Sequence, residues 1–242
     1  LRTGGQLTAV YLSPHIREYR ERIRIDGRTV EPEPFLRGLE RIAALGREPR
    51  EPPHPTGFKT VFENLTALFF LLAREAAVDW TVVETGLGGR LDATNVVDPG
   101  PALLTRIGLE HTQLLGDRLE LIAAEKAAIL KAGGWGVYGA QAEPPRGERG
   151  AEEVFKRRAR EVGARLMPAE GLSPVRGLRP HSEGLGLTIG FEGRDLKLEL
   201  PILGPFQAEN LQNALAMLAA LRVEGLVERV DRVAPGLRRP EP

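Results

Sequence analysis

Four residues stand where an α/β protein would do chemistry. Ser13 follows the apolar stretch Gln6 to Leu12, and Glu84 directly follows Thr81-Val82-Val83 and precedes the glycine turn Gly86-Leu-Gly-Gly89. His111 comes just after the apolar segment Ala102 to Leu109. In doubly wound sheets ligands gather beyond the carboxyl ends of the strands, and all three fall there. An acid between a β-branched strand and a glycine turn is placed like the Mg²⁺-holding acid of nucleotide-binding folds, and equally like a turn or helix cap. Taken singly, Ser13 also reads as a turn residue and His111 as a hydrogen-bonded loop histidine. The fourth is Lys126, one of only 5 lysines among 33 basic residues.

Lys126 falls in a helix expected over Leu119 to Lys131, on the apolar face with Leu119, Ile122, Ile129 and Leu130. Burial there would lower its pKa and leave more of it as the nucleophilic free amine. Such an amine can pair with a carboxylate, or react with CO₂ to give a carbamate, an oxygen donor suited to a hard cation. The alternative is snorkelling, the ammonium reaching water past the helix edge.

The stretch Gly86-Leu-Gly-Gly-Arg-Leu-Asp-Ala-Thr-Asn95 matches neither the dinucleotide fingerprint nor the Walker A loop. By residue type it is a tight turn presenting Arg90, Asp92 and Asn95. Asn64-Leu65-Thr66 has the form of a glycosylation acceptor, but it lies inside an expected helix and is discounted.

These positions need a scaffold, and the periodicity supplies one. Leu1 to Gly5 reads as the last turn of a helix closed by a glycine cap. A buried strand follows at Gln6 to Leu12, a turn at Asp26-Gly27, and a helix from Pro34 to Leu45. Residues 46–59 carry four prolines and read as a long loop. Thr60 and Glu63 have capping-box spacing and open an apolar helix, Val61 to Ala77. Strands at Trp80 to Glu84, Ala102 to Leu109 and Trp135 to Gly139 then alternate with helices at Leu119 to Lys131 and Glu152 to Val162. That alternation predicts a doubly wound, mostly parallel α/β sheet. Leu185 to Phe191 and Leu196 to Leu200, around Glu192-Gly193-Arg194-Asp195, predict an antiparallel hairpin, and Gln207 to Val223 a closing apolar helix.

Composition excludes several classes. With 33 basic and 33 acidic residues, no net charge draws the chain to nucleic acid or to an anionic membrane. Zero cysteines rule out disulfides and thiolate metal sites and fit the cytoplasm. The longest apolar run, Leu65 to Ala73, is too short to span a bilayer.

Glu84-Thr-Gly-Leu-Gly-Gly-Arg-Leu-Asp-Ala-Thr-Asn95 resembles the signature of the folylpolyglutamate synthase and dihydrofolate synthase family, within the Mur ligase superfamily. Further matching pieces occur in family order: Ser13-Pro14-His15 with Glu21-Arg22-Ile23, Phe62-Glu63 with Thr66-Ala67, His111 with Leu115-Gly116, Glu125-Lys126-Ala127, and Leu203-Gly204 with Gln207 and Asn210. The resemblance implies a P-loop-like central Mur ligase domain over residues 1–233 and a linker over 234–242. It implies an ATP-dependent amide ligase using ATP, L-glutamate and dihydropteroate or a folate, monomeric, with two Mg²⁺ ions. Ser13 and Glu84 match the ligands of one ion, and Glu84 with His111 those of the other. Lys126 matches the carbamylated lysine that supports the second metal, Asn210 and Gln207 the adenine contacts, and Phe62, Glu63 and Asp92 the pterin-substrate region.

The chain departs from the family pattern at Glu110, where aspartate is usual, at Phe206, where histidine is usual, and at Leu237, where arginine is usual. No Gly-Lys-Ser phosphate loop occurs in it, and one is expected upstream of Ser13; a glutamate-binding domain is expected after Gly236. The expectation is therefore a fragment inactive by itself. The alternatives are a degenerate pterin- or metal-binding module, or another Mur-type ligase.

Overall fold

The structure, a computed structural model, describes residues 1–45, 60–97, 100–144, 147 and 149–227. The proline-rich loop expected over 46–59 and the linker expected over 234–242 lie outside the described residues. The chain divides into two compact units, Leu1–Leu87 with Leu91–Val96, and Gly88–Arg90 with Val97–Pro242.

The first unit opens with a 3₁₀ turn, Arg2–Gly4, closed by Gly5 in the left-handed region at φ 87°, where the glycine cap was expected. Its sheet has the order β3-β2-β1-β4, from β1 (Thr8–Tyr11), β2 (Ile23–Ile25), β3 (Arg28–Thr29) and β4 (Trp80–Val83). β1 and β4 run parallel, whereas β2 and β3 form an antiparallel hairpin. Asp26 and Gly27, at φ 50° and 79°, make the turn that joins them, since two consecutive positive φ values match the twist of a hairpin.

Two helices complete this unit, α1 (Pro32–Leu45) and α2 (Val61–Glu75). α2 starts where the capping box fixes it: the Thr60 side chain accepts from the Glu63 N–H at 3.1 Å, and the Glu63 carboxylate accepts from the Thr60 N–H at 2.6 Å. Its buried face, Leu65, Leu68, Phe69 and Leu72, has helical spacing and covers β1, with the Phe69 ring stacked 5.2 Å from that of Tyr11. Burial pushes the Tyr11 phenol above its usual range.

The second unit holds a parallel sheet ordered β5-β6-β7, from β5 (Pro101–Leu104), β6 (Trp135–Tyr138) and β7 (Arg165–Pro168). All four residues of β6 are buried, as a strand covered on both faces requires. On one face lie α4 (Leu119–Ala127) and α5 (Ala151–Val162), with Tyr138 edge-on to Phe155 and Gly136 beneath Leu130. On the other lies α7 (Phe206–Val223), whose Asn213 fills the space beside Gly139. Single helical turns occur at α3 (Thr112–Leu115) and α6 (Ala169–Leu172).

The antiparallel extension has three strands, ordered β10-β9-β8: β8 (Val175–His181), β9 (Gly184–Phe191) and β10 (Arg194–Leu200). Leu185, Leu187, Ile189 and Phe191 alternate inward along β9. The α/β class and the antiparallel extension thus take the form expected. Three details differ. Strands β2, β3, β7 and β8 were not anticipated, only the turn between the first two; the strand expected over Ala102 to Leu109 stops at Leu104, and the helix expected to reach Lys131 ends at Ala127. Among the described residues no helix is long and apolar enough to cross a membrane.

Candidate functional site

In the first unit the site begins with two neighbouring parallel strands. Tyr11 and Val83, the last residues of β1 and β4, are register partners, and the Glu84 N–H donates to the Tyr11 carbonyl at 3.0 Å. Ser13 and Glu84 are thereby delivered side by side beyond the carboxyl ends of their strands. The Ser13 N–H donates to Glu84 Oε2 at 2.6 Å, and the Ser13–Pro14 peptide is cis. Glu84 is exposed.

The loop after Ser13 is held from its far end. The Glu21 carboxylate accepts the backbone N–H groups of Ile16, Arg17 and Glu18 at 2.8, 3.0 and 3.0 Å. Those hydrogen bonds, led by that of Ile16, hold the Glu21 carboxyl below its ordinary range. Arg22 Nε donates to His15 Nδ1 at 3.0 Å, and the His15 and Tyr19 rings lie 4.5 Å apart.

The glycine turn is shaped by Asp92. Its Oδ2 accepts from the N–H groups of Gly86 and Leu87 at 3.1 and 2.8 Å, and its Oδ1 from the Thr94 N–H and hydroxyl at 2.9 and 2.5 Å. Four donors occupy the four lone-pair sites of the carboxylate. Asp92 therefore acts first on the loop that carries it. The Phe62 ring lies between Tyr11, at 5.8 Å between centroids, and Gly86, where a Cβ would stand 2.4 Å from Phe62 Cζ. Glu63 is tied into the capping box with Thr60.

In the second unit the turn seats on a helix end. A Cβ on Gly89 would stand 2.5 Å from the Glu125 carbonyl oxygen and 3.1 Å from Lys126 Cα, so only glycine allows the approach. The Arg90 N–H donates to that same carbonyl at 3.0 Å, and Arg90 Nε to the Glu125 carboxylate at 2.9 Å. The expected burial of Lys126 is corrected: the residue is half-buried. Helix α4 ends one residue beyond it, and Gly89 packs on its backbone, so its side chain is not enclosed. Among the described residues Lys126 Nζ has no hydrogen-bond or ion-pair partner.

His111 is exposed and stands at φ 52°, ψ 36°, a left-handed conformation uncommon for a side chain with a Cβ. Its carbonyl accepts the Leu114 and Leu115 N–H groups, both at 2.9 Å. Gln207 and Asn210 do come together, on the first turn of α7, where Asn210 Nδ2 donates to Gln207 Oε1 at 3.0 Å. Three residues that the sequence singles out only as parts of motifs hold these pieces in place: Asp92 closes the turn, Glu21 the Ser13 loop, and Glu125 seats Arg90.

Among the described residues no group of three or more His, Asp or Glu side chains stands ready for a metal. Ser13 and Glu84 nevertheless fit a hard cation by donor chemistry, one hydroxyl and one carboxylate, with Glu84 Oε1 left unengaged by the described residues. Ser13 and Glu84 belong to the first unit, His111 and Lys126 to the second.

No family model matches the chain. A "Probable bifunctional folylpolyglutamate synthase/dihydropteroate synthase" of Haloferax volcanii is 33% identical over 252 residues, which cover 98% of this chain and 27% of that protein. The folylpolyglutamate synthase of Lacticaseibacillus casei is 31% identical over 218 residues, covering 89% of this chain and 49% of the relative. A solved structure described as an FPGS-AMPPCP-folate complex superposes with a TM-score of 0.82 at 26% identity, over 98% of this chain and 57% of that one. The chain is a homologue of the folylpolyglutamate and dihydrofolate synthases. Its fold is the α/β fold of these Mur ligase relatives. It spans about half the length of the L. casei synthase and about a quarter of the H. volcanii protein. The synthase-like signature Glu84 to Asn95 is shared between the units, with Gly88–Arg90 counted in the second and its flanks in the first.

Proposed function

We propose that this chain is the ATP-handling part, residues 1–233, of an ATP-dependent ligase that adds L-glutamate to dihydropteroate and/or folates. The substrate carboxylate oxygen attacks the γ-phosphorus of ATP and ADP leaves. The glutamate amine then attacks the acyl phosphate carbon, expelling phosphate and losing a proton, to leave an amide. The first step turns a poor leaving oxide into a good one, and the second depends on holding amine and carbonyl in line.

The observation that supports this reading best is the Ser13–Glu84 pair at the ends of adjacent parallel strands, with Glu84 directly ahead of the glycine turn in the sequence. In it, Ser13 and Glu84 hold one Mg²⁺, and Glu84 and His111 the other, with carbamylated Lys126 in support. When bound, the ions supply neutralisation of the phosphate charge. Gln207 and Asn210 meet the adenine, and Phe62, Glu63 and Asp92 serve the pterin side. For Asp92 that service is indirect, through the loop it closes. Partners are small molecules only, and the protein works as a cytoplasmic monomer.

The test is a ligation assay of the full-length gene product with ATP, L-glutamate and either dihydropteroate or a reduced folate, following ADP and the glutamylated product. Glutamylated product with one or both acceptors is the expected result. No product with either, together with no Mg²⁺-dependent nucleotide binding, would overturn the reading.

A further inference from the structure

The first turn of α7 has a weakness. Its N-cap is Pro205, and no side chain caps the helix. The Gln207 and Ala208 N–H groups donate to the Gly204 and Pro205 carbonyls at 3.1 and 3.0 Å, so the helix start is held locally by backbone alone. One turn further on, Asn213 packs against Gly139 at the end of β6, but its buried Oδ1 has no hydrogen-bond partner. In the same turn Gln212 Nε2 donates to the Ser173 carbonyl at 3.0 Å, which ties that turn to the segment before β8 and not to β6.

One polar clasp joins the first turn to the sheet. Arg106, two residues beyond the end of β5, donates through Nε to Glu209 Oε2 at 2.9 Å and through Nη2 to Glu209 Oε1 at 2.7 Å. Glu209 stands between Gln207 and Asn210 on the helix. A two-pronged guanidinium–carboxylate pair fixes direction as well as distance. The strand end that carries Arg106 is itself anchored, because Gln141 accepts from the Ile107 N–H at 3.0 Å and donates to the Thr105 and Gly139 carbonyls at 3.1 and 2.8 Å. Among the described residues, the Arg106–Glu209 pair is the only polar side-chain link from the first turn of α7 to the parallel sheet.

We propose that Arg106 is a positioning residue for nucleotide selection: through Glu209 it sets where the Gln207 and Asn210 amides stand at the sheet edge. This rests on the reading that those amides meet the purine. Because Asn210 Nδ2 is spent on Gln207 Oε1, the pair presents Asn210 Oδ1 as an acceptor and Gln207 Nε2 as a donor. Adenine offers the complement along one edge, its N6 amino donor and N7 acceptor, whereas guanine offers two acceptors there. Discrimination between the two needs both amides held in place, which is what the clasp does.

The experiment is steady-state kinetics of the full-length enzyme with ATP and with GTP. Asn210→Ala raises KM for ATP and lowers the preference for ATP. Arg106→Ala and Glu209→Ala each raise KM for ATP by about fivefold and lower the ATP-over-GTP preference in step, as loss of one partly exposed pair implies. Arg106→Lys, which keeps charge without the fork, recovers only part of the preference. The exchange R106E/E209R recovers most of it. A purely stabilising role would lower the melting temperature without moving that preference. If Asn210→Ala changes nothing, the purine reading falls and takes the proposal with it. If Asn210→Ala shifts the preference while Arg106→Ala does not, or if the exchanged pair is no better than the single variants, the proposal alone is wrong.

Discussion

The Ser13 backbone N–H donates to the Glu84 carboxylate at 2.6 Å, joining the ends of two adjacent parallel strands through the very side chain read as a cation ligand. One carboxylate oxygen is thus spent on shaping the loop, and the other is open to a ligand. This division makes the two roles separable by substitution.

Glu84→Gln retains an oxygen for the Ser13 N–H and removes the charge, whereas Glu84→Ala removes both. In the full-length protein we expect Glu84→Gln to melt like the wild type yet lose about tenfold or more of its Mg²⁺-dependent ATP affinity, about 1.4 kcal/mol. Calorimetry at several Mg²⁺ concentrations checks this. Unchanged affinity would count against Glu84 as a ligand.

Lys126 gives the opposite contrast of stability and activity. Half-buried and without a described partner, it contributes little to folding, so Lys126→Ala should change stability by less than about 1 kcal/mol in urea unfolding. The same variant should abolish ligation, with partial recovery on adding a small carboxylate that can stand in for the lost carbamate oxygens. Full ligation by the unsupplemented variant would remove Lys126 from the mechanism.

Gly89→Ala should do the reverse of Lys126→Ala. A Cβ there meets backbone, 2.5 Å from the Glu125 carbonyl oxygen, and backbone cannot turn aside as a side chain would. A cost of about 1–3 kcal/mol is expected from such overpacking, read in the same urea experiment. Gly171→Ala is the control, since its Cβ would meet nothing nearer than Pro168 Cγ at 3.7 Å.

The Glu21 clasp makes the Ser13 loop sensitive to acid. Its carboxyl titrates below its ordinary value of 4.5 because three backbone N–H groups prefer the charged form, with the Ile16 bond foremost. The stabilisation is complete above that ordinary value and is lost as the pH falls through the lowered one. Amide hydrogen exchange at Ile16, Arg17 and Glu18 should accelerate over that acid window beyond the intrinsic rate. In Glu21→Gln it should be fast at neutral pH as well. Pace unaltered by either change would show that other contacts hold the loop.

The parts of the fold legible in the sequence are those that local chemistry decides. Thr60 and Glu63 start α2 at the residue their spacing indicates, and Glu192-Gly193, at φ 49° and 75°, turns the hairpin where turn residues were read. β8 was not legible because it is an exposed edge strand rich in Arg, with Pro180 near its end, so no inward alternation marks it. The end of α4 was hidden because Lys126 to Leu130 are all good helix formers. Leu130 nevertheless turns into the core just after the helix ends, 1% exposed, and that is decided by packing. The candidate residues could be read one at a time. What could not be read is their fixing by partners distant in sequence, as with Arg90 and Glu125 or Arg106 and Glu209, since nothing local marks such pairs.

The donation from Arg22 to His15 Nδ1 has a consequence for tautomerism. A ring nitrogen that accepts from a guanidinium carries no proton, so the imidazole proton of His15 sits on Nε2. Nδ1 is thereby closed to a metal as well, which leaves His15 as a directed hydrogen-bond donor and not as a competing ligand for the cation proposed at Glu84.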